Sequence, residues 1–182
     1  MNEPVRKSAT FAGGCFWCLE PPFEKLPGVL SVLPGYTGGT VAEPSYEEVC
    51  SGETGHAEAV QIVYDPQQVG YRELLEIFWR NIDPTDPGGQ FADRGSQYRS
   101  AIFFHDGEQE REARESKARL EASGKFDRPI RTEIVPAAPF YPAEEYHRQY
   151  HRKEPGRYQR YRWGSGRQRF IEQAWGDKEG EE

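Results

Sequence analysis

The stretch Ala57-Glu58-Ala59-Val60-Gln61-Ile62-Val63-Tyr64 limits what this chain can fold into. Its residues alternate as in a strand, with Ala57, Ala59, Gln61 and Val63 on one side and Glu58, Val60, Ile62 and Tyr64 on the other. Both sides are mostly apolar. Such a strand has to be covered on both faces, so it belongs in the interior of a sheet. Glu58 is the exception. Burial disfavours the charged form of a carboxyl and raises its pKa, which is what an acid working near neutrality requires. A structural carboxylate with a buried partner is the other reading of the same residue.

Around this strand the chain alternates strand-like and helical segments. Lys7 to Gly13 reads as a short buried strand. Cys15 to Leu26 reads as a helix interrupted at Pro21-Pro22, because a proline disfavours the helical conformation of the residue before it. Val29 to Leu33 suggests a strand ending at Pro34-Gly35, and Thr37 to Ser45 an irregular loop. Ser45, with Glu48 three residues on, reads as a capping box that opens a short helix, Tyr46 to Cys50. Tyr71 to Asp83 is an amphipathic helix, and Pro84 to Arg94 a long Gly/Pro/Asp loop of the kind that often carries function. Then follow a strand (Tyr98 to His105), a charged helix (Asp106 to Gly124), a strand (Ile130 to Val135) and a helix (Ala143 to Arg152). Beyond Pro155 the chain reads as polar and irregular, with one helix at Arg167 to Ala174. No repeat or linker divides the 182 residues, a length commonly taken by one domain. Strands alternating with helices predict an α/β or α+β domain with a mixed sheet, in an order the sequence does not fix.

The chemistry-bearing stretch is Gly13-Gly14-Cys15-Phe16-Trp17-Cys18. The paired glycines turn the backbone, and Cys15 falls where a helix begins. A thiolate is the nucleophilic form of cysteine, and a helix N-terminus lowers the pKa of a thiol placed there. Cys18, three residues on, lies on the same helix face, with Cβ atoms about 5–6 Å apart at that spacing. A disulfide prefers about 3.5–4.5 Å, so a small adjustment makes the pair a reversible dithiol. A lone Cys-x-x-Cys is also half of a zinc site. Cys50 and His56 are the nearby candidates for a second half, and their spacing matches no standard zinc pattern. No metal or cofactor is expected. Phe16 and Trp17 diverge around the helix, so one or both wall a pocket beside Cys15 rather than sharing one core.

Three cysteines are too few and too odd in number for a disulfide framework, and no apolar run approaches the ~18 residues of a membrane helix. The N-terminal stretch lacks the apolar core of a signal peptide. The expectation is a cytoplasmic monomer that binds neither membrane nor nucleic acid. The net charge of −7 weighs against nucleic acid in spite of the basic run Arg157, Arg160, Arg162, Arg167 and Arg169. That run reads as a tail that packs its aromatics and solvates its arginines, balanced by Asp177, Glu179, Glu181 and Glu182.

Five motifs in one order then carry a resemblance. Gly13-Gly14-Cys15-Phe16-Trp17, Gly35-Tyr36-Thr37-Gly38-Gly39, Tyr46-Glu47-Glu48-Val49-Cys50-Ser51-Gly52, Thr54-Gly55-His56-Ala57-Glu58-Ala59-Val60 and Asp93-Arg94-Gly95-Ser96-Gln97-Tyr98-Arg99-Ser100 resemble the motifs of the peptide methionine sulfoxide reductase A family. The resemblance covers about Thr10 to Tyr150. It implies thiol-dependent reduction of one epimer, methionine S-sulfoxide, free or in oxidised proteins. It implies Cys15 as the nucleophile that emerges as a sulfenic acid and Glu58 as the acid. Tyr46 and Tyr98 would be donors to the sulfoxide oxygen, Phe16 and Trp17 the wall for the S-methyl group, and Asp93 a polar position of the site. Many relatives resolve the sulfenic acid with cysteines in a C-terminal tail. This chain has none after Cys50. It looks like the members with Cys-x-x-Cys, which makes Cys18 the resolving thiol ahead of Cys50, a buried cysteine in the family. Thioredoxin would then recycle the disulfide through a mixed disulfide. The alternative reading is a general thiol–disulfide oxidoreductase, which has no use for Glu58, Tyr46 and Tyr98. The fold expected is α/β (α+β), a single-domain two-layer sandwich whose mixed sheet, flanking helices and long irregular loops surround a ferredoxin-like core. One catalytic domain spans 1–182, with a core at about 8–152 and a C-terminal extension, 153–182, that wraps it or is partly flexible.

Overall fold

The computed structural model describes Glu3 and residues 5–176. In chain order the elements are β1 (Lys7–Gly13), α1 (Phe16–Glu24), β2 (Val29–Thr37), α2 (Tyr46–Cys50), β3 (Ala57–Tyr64), α3 (Tyr71–Arg80), β4 (Gly89–Gln90), β5 (Asp93–Arg94), β6 (Ser100–Phe104), α4 (Gly107–Ala122), β7 (Glu133–Pro136), β8 (Phe140–Pro142), α5 (Tyr150–Lys153), α6 (Pro155–Gly164) and α7 (Arg167–Trp175). Short 3₁₀ turns occupy Ser96–Tyr98 and Glu145–His147.

The main sheet has the order β7-β6-β1-β3-β2-β8. Its inner part, β1-α1-β2-β3-α3-β6 with β1 and β3 central, is the split βαβ arrangement of a ferredoxin-like core. β7 joins β6 in parallel and β8 joins β2 antiparallel, so the whole sheet is mixed. The apolar alternation of β3 is explained by its place between β1 and β2. Val60, Ile62 and Tyr64 face a layer of α1, α3 and α4, while Ala57 and Ala59 pack with Ala12, Ala101 and Phe103 on the other face. Phe11 of β1 is the hub of the helical side. Its ring stacks on Phe23 of α1 at 5.5 Å, on Phe78 of α3 at 5.0 Å and on Tyr71 at 6.0 Å.

Four expectations need correction. α1 does not break at Pro21-Pro22. The prolines leave the carbonyls of Trp17 and Cys18 without i+4 donors. The nine-residue helix tolerates this because Phe16, Leu19 and Phe23 are anchored in the core. β2 does not stop at Pro34-Gly35 but runs on to Thr37. The Pro34 carbonyl accepts from Ala143 N (2.8 Å) on the β8 side, so the missing N–H also points away from β3, where a proline costs no ladder bond. Ala143 to Arg152 is not one helix. Gln149 adopts a left-handed conformation (φ 53°) between the 3₁₀ turn and α5, and its N–H is held by the buried Glu20 carboxyl at 3.0 and 3.2 Å. Pro155–Gly164 is a helix, α6, that the pattern concealed: Tyr158 is its only buried residue, so no apolar periodicity marks it. The acidic residues expected to balance the tail, Asp177 to Glu182, lie outside the described residues.

Candidate active site

β1 delivers the thiol. At its end Gly14 takes a left-handed conformation (φ +86°), and Cys15 becomes the N-cap of α1. A side chain at Gly14 would be strained there, and its Cβ would stand 2.6 Å from the Arg167 guanidinium. Cys15 is only 6% exposed and Cys18 not at all, and both are free thiols. The expected lowering of the Cys15 pKa is not found. Burial, and then the neighbouring Glu58, push the thiol well above its ordinary value, and the Trp17 N–H at the helix start only partly offsets them. Cys15 therefore rests as a thiol.

Glu58 enters from β3, one rung beyond the Ala12–Ala59 pair, and lies opposite Tyr36 of β2. It is buried, and its Oε1 accepts from the Phe16 N–H at 3.2 Å. That N–H is one of the unpaired donors of the first turn of α1. Burial raises the carboxyl pKa to about 8, the Phe16 bond and the Arg167 charge pull it down, and Asp93 pushes it up. At neutral pH Glu58 thus keeps its proton, and the charge that opposes ionisation of Cys15 is absent.

Two further elements bring phenols close enough to feel the charge of this carboxyl. Ser45 Oγ caps α2 by accepting from Glu48 N (3.1 Å), which fixes Tyr46 as the first residue of that helix. Tyr98 closes the 3₁₀ turn Ser96–Tyr98, and Gln97 Nε2 ties that turn to α2 through the Cys50 carbonyl at 3.2 Å. Both hydroxyls are held above their ordinary pKa by burial and by Glu58, so they are donors. Both lie within electrostatic reach of the Cys50 thiol. Cys50 is half-buried rather than buried, and faces the site. Asp93 lies on β5 and accepts a hydrogen bond from Tyr161.

Phe16 and Trp17 part company as their spacing predicts. Phe16 is buried against Tyr36 (5.8 Å) and His147 (5.2 Å). Trp17 stacks on Tyr150 at 3.9 Å and donates from Nε1 to His147 Nδ1 at 3.1 Å. His147 also packs on Tyr46 at 4.3 Å, so it joins the aromatic wall to that phenol. His56 holds loop backbone instead, bonding Gly39 N at 3.0 Å and the Val41 carbonyl at 2.7 Å. No group of three or more His, Cys, Asp or Glu among the described residues could hold a metal ion.

Several residues of the site were not singled out from the sequence. Tyr36 donates to Glu144 at 3.3 Å and lies beside Glu58 and Phe16. Its motif was visible, but its inward direction follows only from the register of β2 on β3. The C-terminal helices supply Tyr161 to Asp93 and Arg167 to the Gly13 carbonyl of the Cys15 loop. The expectation of solvated arginines holds for Arg157, Arg160 and Arg169, which are exposed. It fails for Arg167, which is 1% exposed and donates to the Asn81 and Gly13 carbonyls at 2.7 and 3.0 Å. Nothing in the local sequence separates Arg167 from its basic neighbours.

The family model for peptide methionine sulfoxide reductase matches residues 7–179. A peptide methionine sulfoxide reductase MsrA of Bacillus licheniformis is 58% identical over 177 residues, covering 97% of this chain and 98% of that protein. Mxr1 of Saccharomyces cerevisiae in its reduced form superposes with a TM-score of 0.78 at 35% identity, over 85% of this chain and 89% of the other. Mxr1 in complex with Trx2 gives a TM-score of 0.56 at 25% identity, over 82% and 87% of the two chains. With the motifs, the ferredoxin-like core and nearly the whole length in common, the chain belongs to the peptide methionine sulfoxide reductase family.

Proposed function

We propose that this chain reduces methionine S-sulfoxide, free and in proteins, to methionine, with Cys15 as nucleophile and Glu58 as general acid. The observation that carries the reading is a buried carboxyl held on the N–H next to the nucleophile, its pKa raised to about 8 by burial, with the phenols of Tyr46 and Tyr98 within reach of its charge. A sulfoxide needs that set: a nucleophile for its electrophilic sulfur, a proton for its oxygen, and donors that bind the oxygen as negative charge grows on it. Cys15 sulfur attacks the sulfoxide sulfur as Glu58 gives its proton to the oxygen, and the Cys15 thiol proton restores Glu58. The oxygen passes to Cys15, which is oxidised to a sulfenic acid, while the sulfoxide is reduced to the thioether. Phe16 and Trp17 offer the apolar wall for the methyl group, and Asp93 completes the polar side.

Cys18 then attacks the Cys15 sulfenic sulfur. The S–O bond breaks, an S–S bond forms, and the hydroxyl leaves as water with the Cys18 proton. A dithiol reductant, thioredoxin, reopens the bridge through a mixed disulfide. The complex of the related Mxr1 with Trx2 supports that partner. No helix among the described residues is long and apolar enough to cross a membrane, and with free cysteines this fits a reducing cytoplasm.

The test uses a racemic N-acetylmethionine sulfoxide with excess dithiothreitol. Consumption stops at half, leaving the R epimer, and a Cys15→Ser variant consumes none. A protein that instead reduces insulin disulfides and leaves both epimers intact is a general thiol–disulfide oxidoreductase, and the reading fails.

A further inference from the structure

His147 is 1% exposed and lies where the two wall residues and one phenol meet. Its ring is 5.2 Å from Phe16, 5.7 Å from Trp17 and 4.3 Å from Tyr46, and Tyr146 covers it at 4.1 Å. The turn that carries it is closed by the His147 N–H on the Glu144 carbonyl at 3.0 Å. Packing alone would leave the direction of the imidazole open. Its hydrogen bond does not. The Trp17 indole N–H is only a donor, so the His147 Nδ1 that it meets at 3.1 Å carries a lone pair. The neutral ring then has its proton on Nε2. Nε2 has no hydrogen-bond partner among the described residues, and Glu144 Oε2 stands 3.7 Å from it. That carboxylate favours a proton on the nitrogen nearer to it, so both neighbours select the same tautomer. Tyr150 supports the other face of the problem, stacked on Trp17 at 3.9 Å. Stacking lets an indole slide and turn in its own plane, whereas the bond to Nδ1 fixes that turn.

We propose that His147 is a positioning residue for sulfoxide binding: its Nε2–H tautomer locks the Trp17 indole in the orientation that receives the S-methyl group, and so sets the selection of methyl over larger sulfoxides. No proton of the reaction passes through it. The inference rests on the reading of Trp17 as part of the methyl wall. It also makes the wall sensitive to acid. A protonated imidazole is a donor at both nitrogens and leaves the indole N–H nothing to bond, so protonation of His147 releases Trp17. The titratable groups facing the ring are Glu144 and Tyr146 of its own segment and Tyr46 of α2, with Tyr36 of β2 donating to Glu144 at 3.3 Å behind them. Phe16 and Trp17 of α1 carry no charge. Burial holds the imidazole below its ordinary pKa, and Glu144 only partly opposes this, so the lock is in place at neutral pH.

The test compares N-acetylmethionine S-sulfoxide with its ethyl homologue, N-acetylethionine S-sulfoxide, in steady-state kinetics with dithiothreitol. His147→Phe keeps a ring in place and removes the acceptor. Its KM for the methyl substrate is expected to rise on the order of tenfold, the worth of one buried hydrogen bond left unmade, with a smaller effect on kcat. Its preference for methyl over ethyl shrinks severalfold. His147→Asn, whose amide oxygen takes the place of Nδ1, recovers part of both. In the parent KM rises as pH falls through the His147 pKa, and this acid limb is absent from His147→Phe. In a Trp17→Ala background His147→Phe adds little, because the two act as one unit. If His147→Phe fails to fold, NMR of the parent carries the test: the Trp17 indole N–H, identified by its loss in Trp17→Phe, exchanges with water much more slowly than that of the exposed Trp163. An indole N–H that exchanges as fast as Trp163, or an unchanged KM and preference in His147→Phe while Trp17→Ala loses both, overturns the inference alone. So does an effect of His147→Phe that persists undiminished in Trp17→Ala. A Trp17→Ala enzyme that keeps the parent KM and preference overturns the reading of the wall on which the inference stands.

Discussion

The Phe16 backbone N–H and Glu58 Oε1 are joined across 3.2 Å, so the first turn of α1 that presents Cys15 also holds the acid that serves it. One oxygen of the carboxyl is fixed, and the proton belongs on the other. Glu58→Gln keeps the contact and removes the proton. Its single-turnover rate is expected to fall roughly 10²–10⁴-fold, the usual worth of a positioned acid. In the parent, the rate falls as pH rises through about 8, where Glu58 ionises, and this limb is absent from the residual rate of Glu58→Gln. A pH profile of thioether formation on both proteins checks the assignment.

A second carboxyl titrates in the same range without a part in the reaction. Glu20 is wholly buried, and burial, with Glu24 adding to it, raises its pKa to about 8. The folded chain therefore holds a proton that the unfolded chain releases near 4.5. The sign follows from linkage: this stabilisation is whole below the unfolded value and drains away as pH rises to the folded one. Glu58 contributes in the same sense. The parent Tm is expected to decline between about pH 5 and 8, and Glu20→Gln to lose part of that decline. Thermal melts across the range decide it.

The aromatic hub predicts where the fold is vulnerable. Phe11 links the sheet to α1 and α3 through three stacked rings. Phe11→Ala is expected to cost about 3–5 kcal/mol, as for large cavities in a packed core. Urea titration of the variant measures this as a lower midpoint.

The cap on α2 predicts a smaller, more local effect. Ser45→Ala removes the bond to Glu48 N and is expected to cost about 1 kcal/mol of stability. Tyr46, on the first turn, loses its fixed direction, so KM for the sulfoxide rises while the melting curve shifts by only a few degrees. Steady-state kinetics of Ser45→Ala beside Tyr46→Phe test whether the two act on the same step.

What the sequence reveals follows the range of its interactions. Period-two and helical patterns locate β3 and α3, and β3 is central as its two apolar faces require. Glu58 is legible because a lone carboxyl in an apolar strand breaks a pattern. Ser45 is legible because a cap is local. Arg167 is not, because its burial depends on α7 folding back onto the Gly13 carbonyl, 154 residues earlier. The Cys15 pKa is misjudged for a related reason: the helix end is a local feature, whereas the burial that outweighs it belongs to the assembled site. The prolines of α1 and β2 mislead because the places that tolerate their missing N–H groups are set by packing and by neighbouring strands.

The most direct measurement is disulfide mapping of the intact enzyme after one turnover on a methionine S-sulfoxide without reductant. Loss of two hydrogens and a Cys15–Cys18 bridge are expected, with Cys50 free. Cys18→Ser is predicted to stop at a Cys15 sulfenic acid that dimedone captures. A parent enzyme that makes one equivalent of thioether while Cys15 remains a free, unmodified thiol contradicts the mechanism.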